Sequence, residues 1–222
     1  VAIMVYNDHG ADFFFDKYPT FALGCADHYA IADEGMGVRP LPRIKGDFEF
    51  SRHLCESLVY NEFDLTMCQE MSVEHGFLVP MHLCFEHNPD WGVAAVPLAV
   101  NVLLHPLPTA RRCYRLGQAI RQAVEADQRD LRVVILGTGG MSHQLQGKRF
   151  GDMNAAFDQD FLDRIEHDPQ SLAAYPSLAR VARTQLDVWP KHARYPSQRF
   201  GEDDRGFLKQ TDDLAPLVTL RA

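Results

Sequence analysis

Short apolar runs alternate with polar segments along most of the chain, and four of the runs are rich in residues that favour β-structure. These runs predict strands, and they span Val1 to Tyr6, Leu65 to Cys68, Ala94 to Leu104 and Leu131 to Gly137. The last run leads into three glycines and a Ser-His pair, in the segment "RVVILGTGGMSHQLQG". It therefore predicts a buried strand followed by a glycine-rich turn.

Apolar residues at helical spacing indicate three helices that pack on a sheet. Their apolar faces comprise Cys113, Leu116, Ile120 and Val124, then Phe157, Phe161 and Ile165, and finally Leu54 and Leu58. The first of these helices begins after Thr109, a candidate N-cap. The apolar stretch after His75 could form a further helix. Since strands and helices alternate, the sequence predicts an α/β fold with a mostly parallel central sheet and helices on both faces.

Two segments stand apart from this alternation. Residues 33–46, "DEGMGVRPLPRIKG", contain too much glycine and proline for a helix or a strand, so we expect a long ordered loop. From about Arg180 the chain is polar and charged without clear periodicity. We therefore expect a single domain at residues 1–179 and a divergent polar C-terminal tail at residues 180–222. The chain also starts inside a strand-like run without an initiating Met, so we expect that this sequence lacks the N-terminal part of the natural protein.

Composition and charge narrow the function classes. The chain has 222 residues, 46% of them hydrophobic and 23% charged, as in an ordinary globular protein. A net charge of -8 disfavours a dedicated nucleic-acid binder, because such proteins need a dense basic surface. No apolar run approaches the roughly 20 residues that span a bilayer. We expect a soluble, cytoplasmic protein with neither a nucleic-acid nor a membrane partner.

The cysteines give no framework for the fold. They are odd in number and scattered without CxxC spacing, at Cys25, Cys55, Cys68, Cys84 and Cys113. This pattern indicates neither a disulfide scaffold nor a thiolate zinc site. We expect reduced and mostly buried thiols.

Three histidines follow predicted strands. His9 comes directly after the first strand, His75 comes shortly after the second, and His143 follows the glycine-rich turn. The carboxyl ends of parallel strands form the edge where α/β proteins bind ligands, so we expect the three imidazoles to meet there. A single histidine after a strand is more often a cap or a loop residue. A cluster of three, however, suits metal ligation and acid/base work near neutral pH.

The glycines before His143 favour close approach of a ligand to the backbone. Gly137, Gly139 and Gly140 carry no side chain that could block a ligand, and their N–H groups could face an anion. The spacing fits neither a Rossmann fingerprint nor a P-loop. The GxSxG elbow is also absent, which argues against a serine nucleophile at Ser142.

Several segments resemble the class III extradiol ring-cleavage dioxygenases, the family that includes the catalytic β subunit of protocatechuate 4,5-dioxygenase and gallate dioxygenase. They include "VYNDH", "EHG" and "GTGGMSHQLQG", together with "PTFALGCA", "ADEGMGVRPLP" and "PTARRCYRLGQAIRQAVE". The resemblance spans about residues 1–178, and "GTGGMSHQLQG" is its most specific motif.

This resemblance implies a non-haem Fe(2+) enzyme that opens the ring of a carboxylated catechol with O2. His9 matches an iron ligand, His143 matches the active-site acid/base, and His75 matches a second active-site histidine with a supporting role. Gly139 and Gly140 would lie at the substrate. Asn7 either orients the site and the substrate or only caps the end of the strand. A small α subunit often helps to close the pocket in the family, so the resemblance implies a homo- or hetero-oligomer.

The resemblance also leaves positions open. It implies one further iron ligand, a histidine, ahead of Val1, and another, a glutamate, downstream of the matched region, and no residue here is assigned to either. The chain is then either an incomplete copy of an active dioxygenase subunit or a non-catalytic relative that binds aromatic acids. Arg39, Arg43 and Lys45 are candidate partners for a substrate carboxylate, although a solvated surface loop explains them as well. Between protocatechuate and gallate, the turn motif favours protocatechuate.

Overall fold

The computed structural model describes residues 1–14, 16–102, 106–139, 142 and 150–174. The strands are β1 (Ala2–Tyr6), β2 (Phe21–Gly24), β3 (His28–Ile31), β4 (Ile44–Lys45), β5 (Thr66–Cys68), β6 (Ser72–Val73), β7 (Ala95–Val100) and β8 (Val134–Gly137). The helices are α1 (Phe48–Tyr60), α2 (His75–Cys84), α3 (Ala110–Ala126), α4 (Ala155–His167) and α5 (Pro169–Leu172).

The described residues divide into two compact units. The first contains Val1–Asn101, except residue 15, and Arg115–Thr138. The second contains the described parts of Val102–Tyr114 and of the chain from Gly139 onward. Both sheets lie in the first unit, and α4 and α5 lie in the second.

The central sheet has the strand order β5-β2-β7-β1-β8. Strand β1 pairs in parallel with β7 and with β8, and β2 pairs in parallel with β5. Strand β2 runs antiparallel to β7, with Leu23 opposite Leu98. The predicted α/β fold with a mostly parallel central sheet is therefore confirmed, and a single antiparallel pairing divides the sheet into two directions.

The inner strands are buried along their whole length. Every residue of β1, β2 and β7 is buried, which requires cover on both faces of the sheet. On one face, Met4 and Tyr6 join a core with residues of α2, and the rings of Tyr6 and Phe77 pack edge to face with their centroids 5.5 Å apart. Helix α1 contacts β2 and buries Leu54 and the neighbouring apolar positions of its own face.

A smaller sheet of three strands, in the order β4-β3-β6, includes the end of the Gly/Pro-rich segment. The predicted ordered loop covers most of residues 33–46, and Trp91 Nε1 donates a hydrogen bond of 2.9 Å to Pro42 O. The exclusion of a strand from this segment was wrong for its last part. Ile44 and Lys45 form β4 because they pair with β3, a tertiary contact that local composition does not report.

The predicted strands occur with shorter bounds, and four others were missed. The predicted strand from Ala94 to Leu104 corresponds to β7, which ends at Val100. Residues 103–105 are not among the described residues. The missed strands β2, β3, β4 and β6 have two to four residues each, too few to show a periodicity. Helix α3 begins as predicted, since Thr109 Oγ1 accepts the Arg112 N–H at 3.1 Å.

In the second unit, α4 begins at an asparagine cap. Asn154 Oδ1 accepts the Phe157 N–H at 3.1 Å. Ser142 is buried, and its hydroxyl oxygen accepts the Asn154 N–H at 2.7 Å. This hydrogen bond gives Ser142 a structural role, in agreement with the argument against a serine nucleophile. Residues 180–222, the predicted tail, lie outside the described residues. None of the described helices combines the length and apolar character needed to cross a membrane.

Candidate metal centre

His9 lies in the turn that follows β1, and the residue before it holds this turn in shape. Asp8 is buried, and its carboxylate accepts hydrogen bonds of 2.9 to 3.1 Å from four successive backbone N–H groups, those of residues 10–13. Gly10 has a φ of 79°, which favours glycine. Burial raises the pKa of Asp8, while the N–H donors act in the opposite direction.

Hydrogen bonds from two residues, Ser72 and Thr138, place the start of α2 beside this turn. The Ser72 N–H donates to Asp12 Oδ1 at 3.0 Å, which ties the His9 turn to β6 just before the helix. Thr138, at the end of β8, has its hydroxyl 3.0 Å from Val5 O and 3.2 Å from Gly76 O. The first turn of α2 is therefore fixed next to the carboxyl end of β1.

Glu74 and His75 begin α2 and face His9. Glu74 is the N-cap, and its Oε2 accepts the Gly76 N–H at 2.9 Å. The same oxygen lies 3.1 Å from His9 Nδ1 and 2.6 Å from His75 Nδ1. The two imidazole rings stack with their centroids 4.3 Å apart. We refer to His9, Glu74 and His75 as the His9 cluster.

The His9 cluster offers the donor atoms of a metal site. One candidate ligand atom from each of its three residues lies within 4.8 Å of the others. Two imidazoles and one carboxylate form the ligand set typical of non-haem Fe(II) sites. Glu74 Oε1 is buried and has no hydrogen-bond partner among the described residues. An imidazole that can act as a ligand, with the buried negative charge of Glu74 beside it, therefore fits a divalent cation.

Electrostatics hold the cluster in a charged state. Burial alone would raise the pKa of Glu74, but the contacts with His75 and His9 outweigh it and lower this pKa to about 2. The contact with Glu74 raises the pKa of His75 to about 9, against the opposing effect of burial. At neutral pH the metal-free cluster thus contains an ionised Glu74 and a protonated His75.

A second carboxylate reaches the cluster from the Gly/Pro-rich loop. Glu34 contacts His75 Nδ1 through one oxygen and Arg39 through the other. Burial opposes ionisation of Glu34, yet its pKa is lowered because Arg39 and His75 both stabilise the carboxylate. The guanidinium of Arg39, a candidate for substrate binding, is therefore already paired.

Asn7 contacts Nε2 of His9, the ring nitrogen that does not contact Glu74. Its side chain is buried, and Nδ2 lies 3.1 Å from His9 Nε2. Both ring nitrogens of His9 therefore have partners, Asn7 on one side and Glu74 on the other.

The profile of a protein family described as "Catalytic LigB subunit of aromatic ring-opening dioxygenase" matches residues 1–184 of this chain. The chain belongs to this family. The match covers both the β1 turn with His9 and the start of α2, so the His9 cluster lies within the family's catalytic-subunit region.

Two curated relatives from Pseudomonas putida show how the chain compares with other dioxygenases. A gallate dioxygenase is 43% identical over 164 residues, which are 72% of this chain and 48% of that protein. A 2,3-dihydroxyphenylpropionate/2,3-dihydroxicinnamic acid 1,2-dioxygenase is 27% identical over 227 residues, which are 97% of this chain and 68% of that protein. The chain spans about half the length of the gallate dioxygenase that it matches.

Of the predicted site residues, the structure brings Asn7, His9 and His75 together. His143 and Gly140 lie outside the described residues, so their placement stays a prediction. Gly139 is described and has a φ of 134°, a conformation that L side chains rarely adopt.

The predicted route of His75 to the site was wrong. His75 was expected beyond the carboxyl end of β5, but β5 runs opposite to β1 because β2 is antiparallel to β7. The chain leaves β5 toward the other end of the sheet and returns through β6, which leads directly into α2. The N-terminus of this helix, and not the end of β5, places His75 beside His9.

Two carboxylates of the site were not predicted. Glu74 gives little signal, because Glu is not a preferred N-cap residue and adjacent residues rarely point at the same place. Glu34 lies 41 positions from its partner His75 in a loop without periodicity. The only local signal was the triplet "EHG" ahead of an apolar stretch, which is compatible with a helix start.

Proposed function

We propose that this protein acts as the catalytic subunit of an Fe(2+)-dependent extradiol dioxygenase, which opens the ring of a carboxylated catechol with O2. The His9 cluster carries the proposal, because it places an imidazole ligand beside a buried carboxylate and a second imidazole in a chain of the LigB family. His9 would hold the iron through a ring nitrogen. The remaining ligands that the family resemblance implies are not assigned to residues of this chain.

The substrate we propose is gallate. The family profile concerns aromatic ring opening, and the 43% identical relative is a gallate dioxygenase. This relative favours gallate over protocatechuate, which the turn motif had suggested. Bound iron would supply a site where two adjacent phenolic oxygens and O2 meet.

The chain's own residues have separate tasks in this proposal. His143 accepts a proton from a phenolic hydroxyl, a role suited to an imidazole near neutral pH. His75, held by two carboxylates, presents a charged imidazolium that stabilises negative charge at the substrate or at oxygen. Asn7, Gly139 and Gly140 border the substrate.

The other expectations for the whole protein follow from the same proposal. Its small-molecule partners are the aromatic acid and O2. We expect cytoplasmic localisation and an oligomer, either of identical chains or with a small α subunit. Size-exclusion chromatography of the purified full-length protein, with and without such a subunit, tests the assembly.

Oxygen uptake by the full-length protein tests the activity. Loaded anaerobically with Fe(II), it should consume O2 on addition of gallate and form a ring-opened product that absorbs visible light. His143→Ala should reduce turnover by about 100-fold or more while metal content stays normal, because general acid/base groups contribute on this scale. His9→Ala should lose metal.

His28→Ala is the matched control, since His28 is exposed on β3 and outside the His9 cluster. It should keep both metal and turnover. Uptake of gallate without oxygen consumption would instead identify a non-catalytic relative that binds aromatic acids. Normal turnover in His143→Ala would contradict the acid/base role.

A further inference from the structure

The hydrogen bonds around His9 determine which ring nitrogen carries its proton. Asn7 Nδ2, 3.1 Å from His9 Nε2, is an amide nitrogen and can only donate. With the amide in this orientation His9 Nε2 accepts, and a neutral imidazole that accepts at Nε2 carries its proton on Nδ1. This N–H points at Glu74 Oε2, which lies 3.1 Å from Nδ1 and accepts it.

Glu74 is held rigidly enough to impose this arrangement. The carboxylate is fully buried, and its Oε2 also accepts the Gly76 N–H. A methyl group built on Gly76 would lie 2.7 Å from Glu74 Oε1 and 3.1 Å from His9 Cε1, so the surroundings are closely packed. The carboxylate therefore has little freedom to rotate or withdraw.

One oxygen of Glu74 organises both imidazoles. The Nδ1 atoms of His9 and His75 converge on Oε2, and the rings stack at an angle of 29°. Nδ1 and Nε2 flank Cε1 and point in different directions, so a ring whose Nδ1 contacts Glu74 leaves its Nε2 for another partner. Oε2 already has three polar partners, the Gly76 N–H and the Nδ1 atoms of both histidines.

We propose that Glu74 is a positioning residue: its Oε2 fixes His9 as the Nδ1–H tautomer, so that Nε2 is the atom that binds iron. This inference rests on the proposed function and adds a residue to it. Metal-bound histidines commonly donate their second ring N–H to a carboxylate, which fixes the ring and increases the basicity of the ligand nitrogen. Metal binding then requires Asn7 to release Nε2.

The tautomer is measurable in the metal-free, full-length protein by two-bond ¹H–¹⁵N correlation spectra of ¹⁵N-histidine. The spectra should show His9 with a protonated Nδ1 and an unprotonated Nε2. This measurement needs no variant, metal or activity, so it is independent of the proposed function. A His9 protonated on Nε2 would overturn the inference.

Metal binding by Glu74→Gln tests the positioning role. Its Co(II) affinity, measured by competition with a chelator, should fall by about 10- to 100-fold, as is typical for the partners of metal-bound histidines. The absorption bands of the cobalt-saturated variant should stay where they are in the unchanged protein, because the ligand set is the same. Shifted bands would make Glu74 a direct ligand, and an unchanged affinity would remove its positioning role.

Glu70→Gln is the control, since Glu70 is an exposed glutamate outside the cluster. It should change neither the affinity nor the bands. Failure of the proposed function would look different. It would give no oxygen uptake with gallate, while the His9 tautomer and the effect of Glu74→Gln on cobalt affinity stayed as stated.

Discussion

At the scale of single residues, Gly76 shows how little room the His9 cluster leaves. It occupies the second position of α2, between the Glu74 carboxylate and the His9 ring. Alanine normally stabilises a helix relative to glycine by about 1 kcal/mol. At Gly76 the absence of a side chain is instead required, because a Cβ atom would lie 2.7 Å from Glu74 Oε1.

Gly76→Ala should therefore destabilise the protein, by about 1–3 kcal/mol for an overpacked position, despite the better helix propensity of alanine. It should also weaken metal binding, because Glu74 and His9 must move apart. Urea denaturation followed by circular dichroism measures the first effect, and chelator competition measures the second.

Gly92→Ala is the matched control. The nearest atom to a Cβ at Gly92 is Glu86 O, 3.9 Å away, which is an ordinary contact. This variant should unfold at the same urea concentration as the unchanged protein, to within about 0.5 kcal/mol. Equal stability of the two alanine variants would show that Glu74 and His9 move aside for a Cβ at Gly76 at little cost in free energy.

At the scale of elements, the long patterns could be predicted and the short ones could not. The apolar faces of α1, α3 and α4 and the run of β1 are visible because burial on a regular element leaves a period in the sequence. Strands such as β6 have two residues and depend on their pairing with β3. Their existence is decided by tertiary contacts and not by local preference.

The candidate site was predictable to the same extent. His9 could be placed because it directly follows β1, a long buried strand. The position of His75 was found although the argument for it was wrong, since the direction of β5 depends on the antiparallel β2. Glu74 and Glu34 could not be found, because their contacts with His75 arise only when a cap and a distant loop come together in the fold.

The turn after β1 is an element that a single carboxylate holds. Asp8→Ala should lower stability on the order of 3 kcal/mol, because four backbone N–H groups lose a charged acceptor in a buried place. Thermal unfolding measures the loss. Metal affinity should fall as well, since His9 is the next residue.

Asp16→Ala provides the comparison for Asp8→Ala. Asp16 is exposed, and its carboxylate lies 3.8 Å from the equally exposed Lys17. Exposed pairs of this kind contribute about 0–1 kcal/mol, so the melting temperature should hardly change. A loss as large as that of Asp8→Ala would mean that removing any aspartate from this turn is harmful.

At the scale of the whole molecule, the reactivity of the buried cysteines measures how often each of the two compact units opens. Cys25, Cys55 and Cys68 are buried in the first unit, and Cys113 is buried in the second. Burial raises the pKa of Cys25 and of Cys113 to about 12 and that of Cys68 to about 11. Cys84, at the end of α2, is exposed.

At pH 8 the folded protein should therefore react with one equivalent of Ellman's reagent, at Cys84. The buried thiols remain protonated and inaccessible, whereas the thiolate is the reactive form. In denaturant all five cysteines should react. Cys84→Ser should abolish the fast reaction in the folded state and leave four thiols after unfolding, and a second fast thiol would show that one unit opens readily.

The paired ring nitrogens of His9 bear on whether the protein folds before it binds a metal ion. With Asn7 on Nε2 and Glu74 on Nδ1, the imidazole satisfies its hydrogen-bonding capacity from the polypeptide alone. Small domains whose ligands lack such partners acquire structure only when the ion arrives. Because His9 has both partners within the polypeptide, a chelator-stripped preparation should stay native and regain its ion by simple dialysis, without passage through the denatured state.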